Sequence, residues 1–348
     1  MTGLGARDAL PERFDSVEAL EEFMTRPSSA LGAALGALDG DIMVLGVGGK
    51  MGPTLARLAK RAAPAKRVIG VARFSEPGLR EQLDGHGVET IAGDLLDRDL
   101  VFGLPRVANV VFMAGRKFGS QGAEHLTWAM NALVPALVAE ACREARIVAF
   151  STGCVYPFVP VSGGGATEAT TPNPPPGEYA NSCVARERLF EYGAARYGTV
   201  GRIIRLNYAI DMRYGVLHDV ATKVLQGAPI DLTTGHVNVI WQGDANEAAL
   251  RALGHCTRPP APLNVSGPEI VAIRTLAESF GARLGRTPRF EGVEAPTGWV
   301  VNTEQFVRLM GYPRVPLERM IDWVADWVTR GGASLGKPTH YEVRDGVF

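Results

Sequence analysis

The chain has 348 residues, 46% of them hydrophobic, with 36 Lys and Arg against 37 Asp and Glu and a formal net charge of −1. That length builds one large core or two unequal ones, and the balanced charge excludes the strong field that draws a protein to nucleic acid or an anionic membrane. Four cysteines without CxxC spacing exclude a disulfide framework and a zinc site, no apolar run approaches the ~20 residues that span a bilayer, and residues 1–8 lack a signal-peptide core. The expectation is a cytoplasmic protein with a small-molecule ligand, no metal, no nucleic-acid partner and no membrane partner.

Residues 1–40 read as an N-terminal helical extension. Asp15 and Glu18 stand three apart like a capping box, with Phe14 just before them, which predicts a helix to about Met24 on the outside of the main lobe. From residue 41 short apolar runs alternate with amphipathic stretches, the pattern of βαβ units in a parallel sheet. Strands are predicted at 42–45, 68–71, 89–91, 109–113, 146–150 and 201–206, with long helices over 125–143 and 179–197. Residues 157–177, with three consecutive glycines and three consecutive prolines, read as a loop overhanging a ligand crevice.

After residue 208 the alternation loosens. Strands at 237–241 and 263–265 and helices at 274–284, 303–310 and 317–329 read as a smaller, partly interleaved α/β substrate lobe over 209–331. Residues 332–348 read as a tail or arm. The fold class is α/β: a Rossmann-type, doubly wound parallel sheet over 41–208, joined to that smaller C-terminal lobe.

Directly after the first strand comes Gly46-Val47-Gly48-Gly49-Lys50-Met51-Gly52, followed by a helical stretch. Strand, glycine turn and helix in that order cradle a pyrophosphate, because the bare backbone approaches it closely and the helix N-terminus offers unpaired N–H groups. A purely structural turn is the alternative in a chain with 41 glycines.

The spacing Gly46-x-x-Gly49-x-x-Gly52 resembles that of extended short-chain dehydrogenases/reductases, the NAD-dependent epimerase/dehydratase family. Further matches run to about residue 332. Asp94 and Leu95 follow the third strand, Ala114-Gly115 ends the fourth, and Asn131 falls in the next helix. Ser151-Thr152-Gly153-Cys154-Val155-Tyr156, Arg205-Leu206-Asn207 and Tyr179 each resemble family motifs. The resemblance implies a dinucleotide held by Gly46, Gly48, Gly49, Lys50, Met51, Gly52, Asp94, Leu95, Ala114 and Gly115. It also implies a homodimer built on the helices 125–143 and 179–197. At the end of the second strand no acid is present and Arg73 stands there instead. Arg73 either accepts the ribose phosphate of NADP or is a solvated strand-end residue, and the first reading favours NADP over NAD.

The family's acid/base is the Tyr of Tyr-x-x-x-Lys, which Tyr179 matches, and Thr152 matches its oxygen-positioning hydroxyl. Cys183 stands where the lysine would. A neutral thiol cannot stabilise a phenolate by charge or donate an ammonium's hydrogen bonds. Three readings stay open: Lys117, on the loop after the fourth strand, serves as the cation; Tyr179 works unaided; or the site binds dinucleotide without chemistry. Cys154 and Cys183 approach the crevice either as reactive thiols or as small packing groups. Cys154 with Gly153 also replaces the Asp-Glu pair of the family's 4,6-dehydratases, which argues against that reaction. Cys154, Asn207, Asp211 and Arg213 are substrate candidates, with Arg213 either clamping a carboxylate or pairing with Asp211. The expected function is an NAD(P)-dependent oxidoreductase or epimerase on a hydroxyl or keto carbon of a sugar, sugar acid or nucleotide sugar. A silent NAD(P)-binding regulator and a lyase or isomerase using transient oxidation are the alternatives.

Overall fold

Seven parallel strands form the central sheet: β1 (Ile42–Leu45), β2 (Val68–Ala72), β3 (Glu89–Ala92), β4 (Asn109–Phe112), β5 (Arg146–Thr152), β6 (Gly201–Leu206) and β7 (Ala261–Val265). The computed structural model describes residues 9–117, 119, 122–337 and 339–346, so the expectation for residues 1–8 lies outside the described residues. The spatial order is β3-β2-β1-β4-β5-β6-β7. The direction of winding reverses between β1 and β4, and in a doubly wound sheet the crevice beyond the strands' C-terminal ends opens at that reversal. β1, β2 and β4 are buried along their whole length. Sequestration on both faces is why each reads as an unbroken apolar run.

One difference concerns β7. Its residues read as part of the second lobe, yet 261–265 pair in register with Arg202–Leu206, Ala261 opposite Arg202 and Val265 opposite Leu206. The sheet thus recruits a strand from beyond residue 208, a long-range pairing that no local pattern announces. The rest of the second lobe consists of helices Val216–Gln226, Ile273–Leu284 and Leu317–Thr329 with two-stranded ribbons, such as Pro229–Asp231 against Arg289–Glu291.

The N-terminal extension also departs from expectation. The helix is Val17–Met24, and Ser16 caps it by accepting from the Ala19 N–H at 3.1 Å; Asp15 instead pairs with Arg13. A second helix, Ser29–Gly36, follows. The extension is not an outer attachment. Phe14 is 3% exposed, stacked on Trp241 and edge-on to Trp323 at 4.8 Å between centroids. Glu22 bonds Arg61 on the helix after the glycine turn, while Glu21 bonds Arg213 of the second lobe. The segment therefore ties both lobes together. Among the described residues no helix is long and apolar enough to cross a membrane.

Candidate active site

The turn after β1 is built from glycines because its backbone leaves no room for side chains. Gly46 has φ +88°, and a Cβ there would sit 2.6 Å from the Ala114 backbone. A Cβ on Gly52 would come within 2.2 Å of the Val47 carbonyl oxygen, so this glycine lets helix Gly52–Ala62 start against the strand end. That helix has no side-chain cap and carries Pro53 at its start. Pro53 has no N–H and the Gly52 N–H donates back to the Gly49 carbonyl at 3.2 Å, so what this turn offers a pyrophosphate is the positive end of the helix.

Lys50 does not lie along this cradle. Its ammonium donates to the Ala209 carbonyl at 3.2 Å and sits 4.1 Å above the Tyr214 ring, on the far wall of the crevice. Burial pulls its pKa down to about 8, with Asp211 opposing the shift and Arg213 and Lys117 adding to it.

At the end of β2, Arg73 is 70% exposed in its side chain and 3.9 Å from Asp94. The other Asp94 oxygen accepts from the Leu96 N–H at 3.0 Å. Leu95 and Ala114 are buried beneath. Arg73 thus leans on Asp94, and both remain open to solvent.

The helix Glu178–Tyr197 presents Tyr179, Cys183 and Arg186 at spacings of four and three, which place them on one face. Burial pushes the Tyr179 phenol well above its ordinary pKa, the neighbouring Cys183 and Cys154 thiols push it further, and Arg186 and a hydrogen bond with Thr152 pull it back. Thr152 is fixed at the end of β5, where its Oγ1 accepts from the Cys154 N–H at 3.1 Å. Cys183 is fully buried, and burial raises its thiol to about 11. Cys154 is 9% exposed and also shifted up by burial. Burial thus disfavours the thiolate of each, the form a nucleophilic cysteine needs.

Arg186 was invisible as a site residue in the sequence. It is 5% exposed, donating to the Phe150 carbonyl at 2.8 Å and to Asn131 Oδ1 at 2.7 Å. Its Nε has no acceptor, and among the described residues it makes no ion pair. A Cβ on Gly115 would lie 2.5 Å from its guanidinium. Asn131 sits in a π-helical turn, Ala129–Leu133, that bulges it toward the strand ends; it also bonds both the N–H and the carbonyl of Arg116. The neighbouring Glu187 pairs with Arg205 through buried, bidentate contacts and accepts from Ser151, so it locks the helix to β5 and β6.

Lys117 lies 6.0 Å over the Tyr179 ring and donates to the Thr339 carbonyl at 3.1 Å. Burial lowers its pKa, while Cys154 and Asp219 oppose that shift. The loop after β4 therefore does bring a cation to the tyrosine, but alongside the ring.

Of the four substrate candidates, the three that follow β6 are occupied internally. Asn207 is 3% exposed and donates to Asn238 and to the Trp299 carbonyl. Asp211 is fully buried and gripped by Arg213 through 2.7 and 3.1 Å contacts, and Arg213 also bonds Glu21. Of the two roles open to Arg213, the structure gives the ion pair. Asp211 and the Asn207 amide nitrogen are thus used to hold the loop that follows β6.

The profile of the NAD-dependent epimerase/dehydratase family matches residues 42–265, well over half of the chain. The chain belongs to this family. Among solved structures, this family member is similar to UDP-glucuronic acid 4-epimerase from Bacillus cereus, in complex with UDP-glucuronic acid and NAD: 19% identity, TM-score 0.69, 83% of this chain against 99% of that one. It is similar to UDP-glucose 4-epimerase from Thermus thermophilus, in complex with NAD, at 23% identity and TM-score 0.66, covering 82% of this chain and 98% of the other. UDP-glucose 4-epimerase from Thermotoga maritima, with UDP-glucose, gives 17%, 0.68, 84% and 99%. No curated protein matches the chain. Arg186, which sequence reading missed, stands three residues beyond Cys183 on the same helix face.

Proposed function

We propose that the protein is an NAD(P)-dependent oxidoreductase or epimerase that acts at a hydroxyl or keto carbon of a carbohydrate-like substrate. The observation that carries this reading is the convergence of Tyr179, Thr152 and Arg186 at the end of β5, beside a glycine turn whose helix N-terminus is uncapped. The residues fit a dinucleotide: the turn after β1 is bare backbone leading straight into a helix N-terminus, in the order strand, glycine turn, helix. The relatives of like fold that were crystallised with NAD and UDP-sugars support the same class.

When bound, the dinucleotide supplies a hydride acceptor and donor. Tyr179 exchanges a proton with the substrate hydroxyl, and Thr152 orients the oxygen that carries it. Arg186 takes the electrostatic part of the missing lysine as a positioning residue. A buried guanidinium that meets only neutral acceptors stabilises an anion on its own helix face, and the phenolate of Tyr179 is that anion. Arg73 favours NADP over NAD by offering a cation to a ribose phosphate. The exposed Leu126, Trp128, Leu133 and Tyr192 on helices 124–141 and 178–197 support a homodimer through those helices.

A second reading has a specific observation in its favour. With Cys183 in place of lysine and a phenol pushed up by burial, the site could bind dinucleotide without turnover. Tyr179→Phe decides between them. In the enzyme it lowers kcat by roughly 10²–10⁴-fold with dinucleotide affinity retained, and coupled product analysis detects epimerisation without net cofactor change. No turnover in the wild type, with tight dinucleotide binding, leaves the silent binder.

A further inference from the structure

The N-terminal ends of the strands form the floor of the sheet, opposite the crevice. There Asn109 pairs with Arg146, and Val148 with Arg202, along β4, β5 and β6. Side chains alternate between the two faces of a strand, so Asn109, Arg146 and Arg202 share the face on which Val148 packs. The 3-10 turn Ala252–His255, followed by Cys256, covers that face at the strand starts. Thr257 fixes this cover by exchanging two backbone bonds with Gly201, at 2.8 and 2.9 Å.

Arg202 is 4% exposed, and its charge is unanswered. Of the other buried arginines, Arg205 has the Glu187 carboxylate and Arg186 has the Phe150 carbonyl and Asn131. Among the described residues Arg202 forms no ion pair, and its buried Nε meets no acceptor. Arg146, beside it, donates to the neutral Asn109 Oδ1 at 3.3 Å and forms no ion pair either. Burial raises the Cys256 thiol, with Arg146 and Arg202 opposing, so both guanidinia act on its sulfur. Burial lowers His255, and Arg202 and Arg251 add to that shift. Acidic groups do not balance this set. Glu168 acts on Arg202 from beside β7 but gives its Oε1 to the Asn264 N–H at 2.9 Å, and Glu247 stands 3.7 Å from Arg251.

A buried cation without a partner is costly. Two guanidinia on strands about 5 Å apart offer the planar forks that grip a tetrahedral oxyanion. We infer that Arg202 and Arg146 form a binding site for a phosphate group, entered past the exposed His255. The site lies about 20 Å from Thr152 along β5, so it is separate from the dinucleotide crevice and does not depend on the function proposed for it. A free phosphate ion and the phosphoryl group of a small metabolite present the same chemistry. The rival account is a cation held by the C-terminal dipole of the helix Gln242–Arg251 alone.

The test uses the full chain in a chloride buffer free of phosphate and sulfate. Inorganic phosphate and glycerol 3-phosphate are each added and read by calorimetry and by thermal unfolding. The wild type is expected to bind at least one of them with a Kd of about 1 mM or tighter and to gain about 2 °C or more in Tm at about 20 mM. Sodium chloride at equal ionic strength gives no such gain. Arg202→Met is expected to abolish the binding. Without phosphate it unfolds no lower than the wild type, since it removes a buried unpaired charge. Arg146→Gln, which keeps Arg202, weakens the binding by about tenfold or more. Tighter binding of glycerol 3-phosphate identifies a metabolite's phosphoryl group as the ligand, and tighter binding of phosphate identifies the free ion. A wild type that ignores both probes overturns the inference, as does binding that survives Arg202→Met, which would place the phosphate elsewhere. An Arg202→Met protein that unfolds below the wild type in the phosphate-free buffer also overturns it, and marks Arg202 as a cation held by the helix end.

Discussion

Arg186 Nη2 donates to Asn131 Oδ1 at 2.7 Å, joining the helix of Tyr179 to the π-bulged helix beside it. The bond fixes a buried cation behind Gly115 and one turn beyond Cys183. Charge is thereby restored to the tyrosine's helix face at a different position from the family's lysine. If this placement matters, Arg186→Met shifts the low-pH limb of kcat to higher pH, because the cation that favours the phenolate is gone. At pH 7 the loss in kcat is about tenfold or more, with dinucleotide affinity retained. Returning a cation at the other position, in Cys183→Lys/Arg186→Ala, moves the limb back. A pH profile that Arg186→Met leaves in place transfers the role to Lys117, and Lys117→Met is then the variant that moves it.

Lys50 is held at about 8 by burial, and the sign of its titration is fixed by that direction. A lysine whose folded pKa is depressed is charged below about 8 and neutral above it, while the unfolded chain stays charged to about 10.4. Protein stability therefore rises with pH between those two values as the cost of burying the charge disappears. Because the ammonium lies across the crevice from the glycine cradle, dinucleotide affinity is expected to stay flat from pH 7 to 9 and to survive Lys50→Met. Calorimetry at three pH values checks this; an affinity that falls with pH in the wild type and not in Lys50→Met would return Lys50 to the anion's surroundings.

At the ribose end, Arg73 and Asp94 stand 3.9 Å apart, both exposed. Exposed pairs of this kind contribute about 0–1 kcal/mol, so Arg73 can leave Asp94 for a ribose phosphate at little cost. Arg73→Ala is expected to weaken NADP binding by about tenfold or more and NAD binding by less than about twofold. Equal losses for both cofactors would mark Arg73 as a solvated strand-end residue.

On the outer face of the two long helices, Leu133 is 51% exposed and Tyr192 60%. Leu133→Asp places a charge on this exposed apolar surface and is expected to convert a dimer to a monomer in light scattering. A wild type that is already monomeric overturns the helix-bundle interface directly.

What could be read from the sequence follows burial. β1 and β6 have the bounds read from their apolar runs, because strands covered on both faces leave a continuous signal. The glycine turn was legible because only bare backbone fits where Gly46 and Gly52 stand. Arg186 was not, since a charged residue mid-helix ordinarily means a solvated face. Its spacing of seven from Tyr179, on the face that also carries Cys183, is the signal that could have found it. Lys50 looked like a phosphate ligand by position, but its long stem carries the ammonium across to Tyr214. β7 and the C-terminal tail depend on contacts made across the whole chain, and in a largely polar tail only Tyr341 hinted that one residue would be buried.

The aromatic cluster of the second lobe joins residues from opposite ends of the polypeptide. Trp323 Nε1 donates to the Pro11 carbonyl across 312 positions, and Arg330 donates to the Phe14 carbonyl across 316. Contacts so distant in sequence are slow to form, since the loop they close must be ordered first. A nascent chain can complete the sheet as far as β6 while its remainder is still being synthesised. The lobe around Trp241 cannot mature until residue 330 has emerged from the ribosome. Assembly of the second lobe therefore waits on residue 330, and a chain released before it would hold a folded Rossmann half with its partner lobe unbuilt.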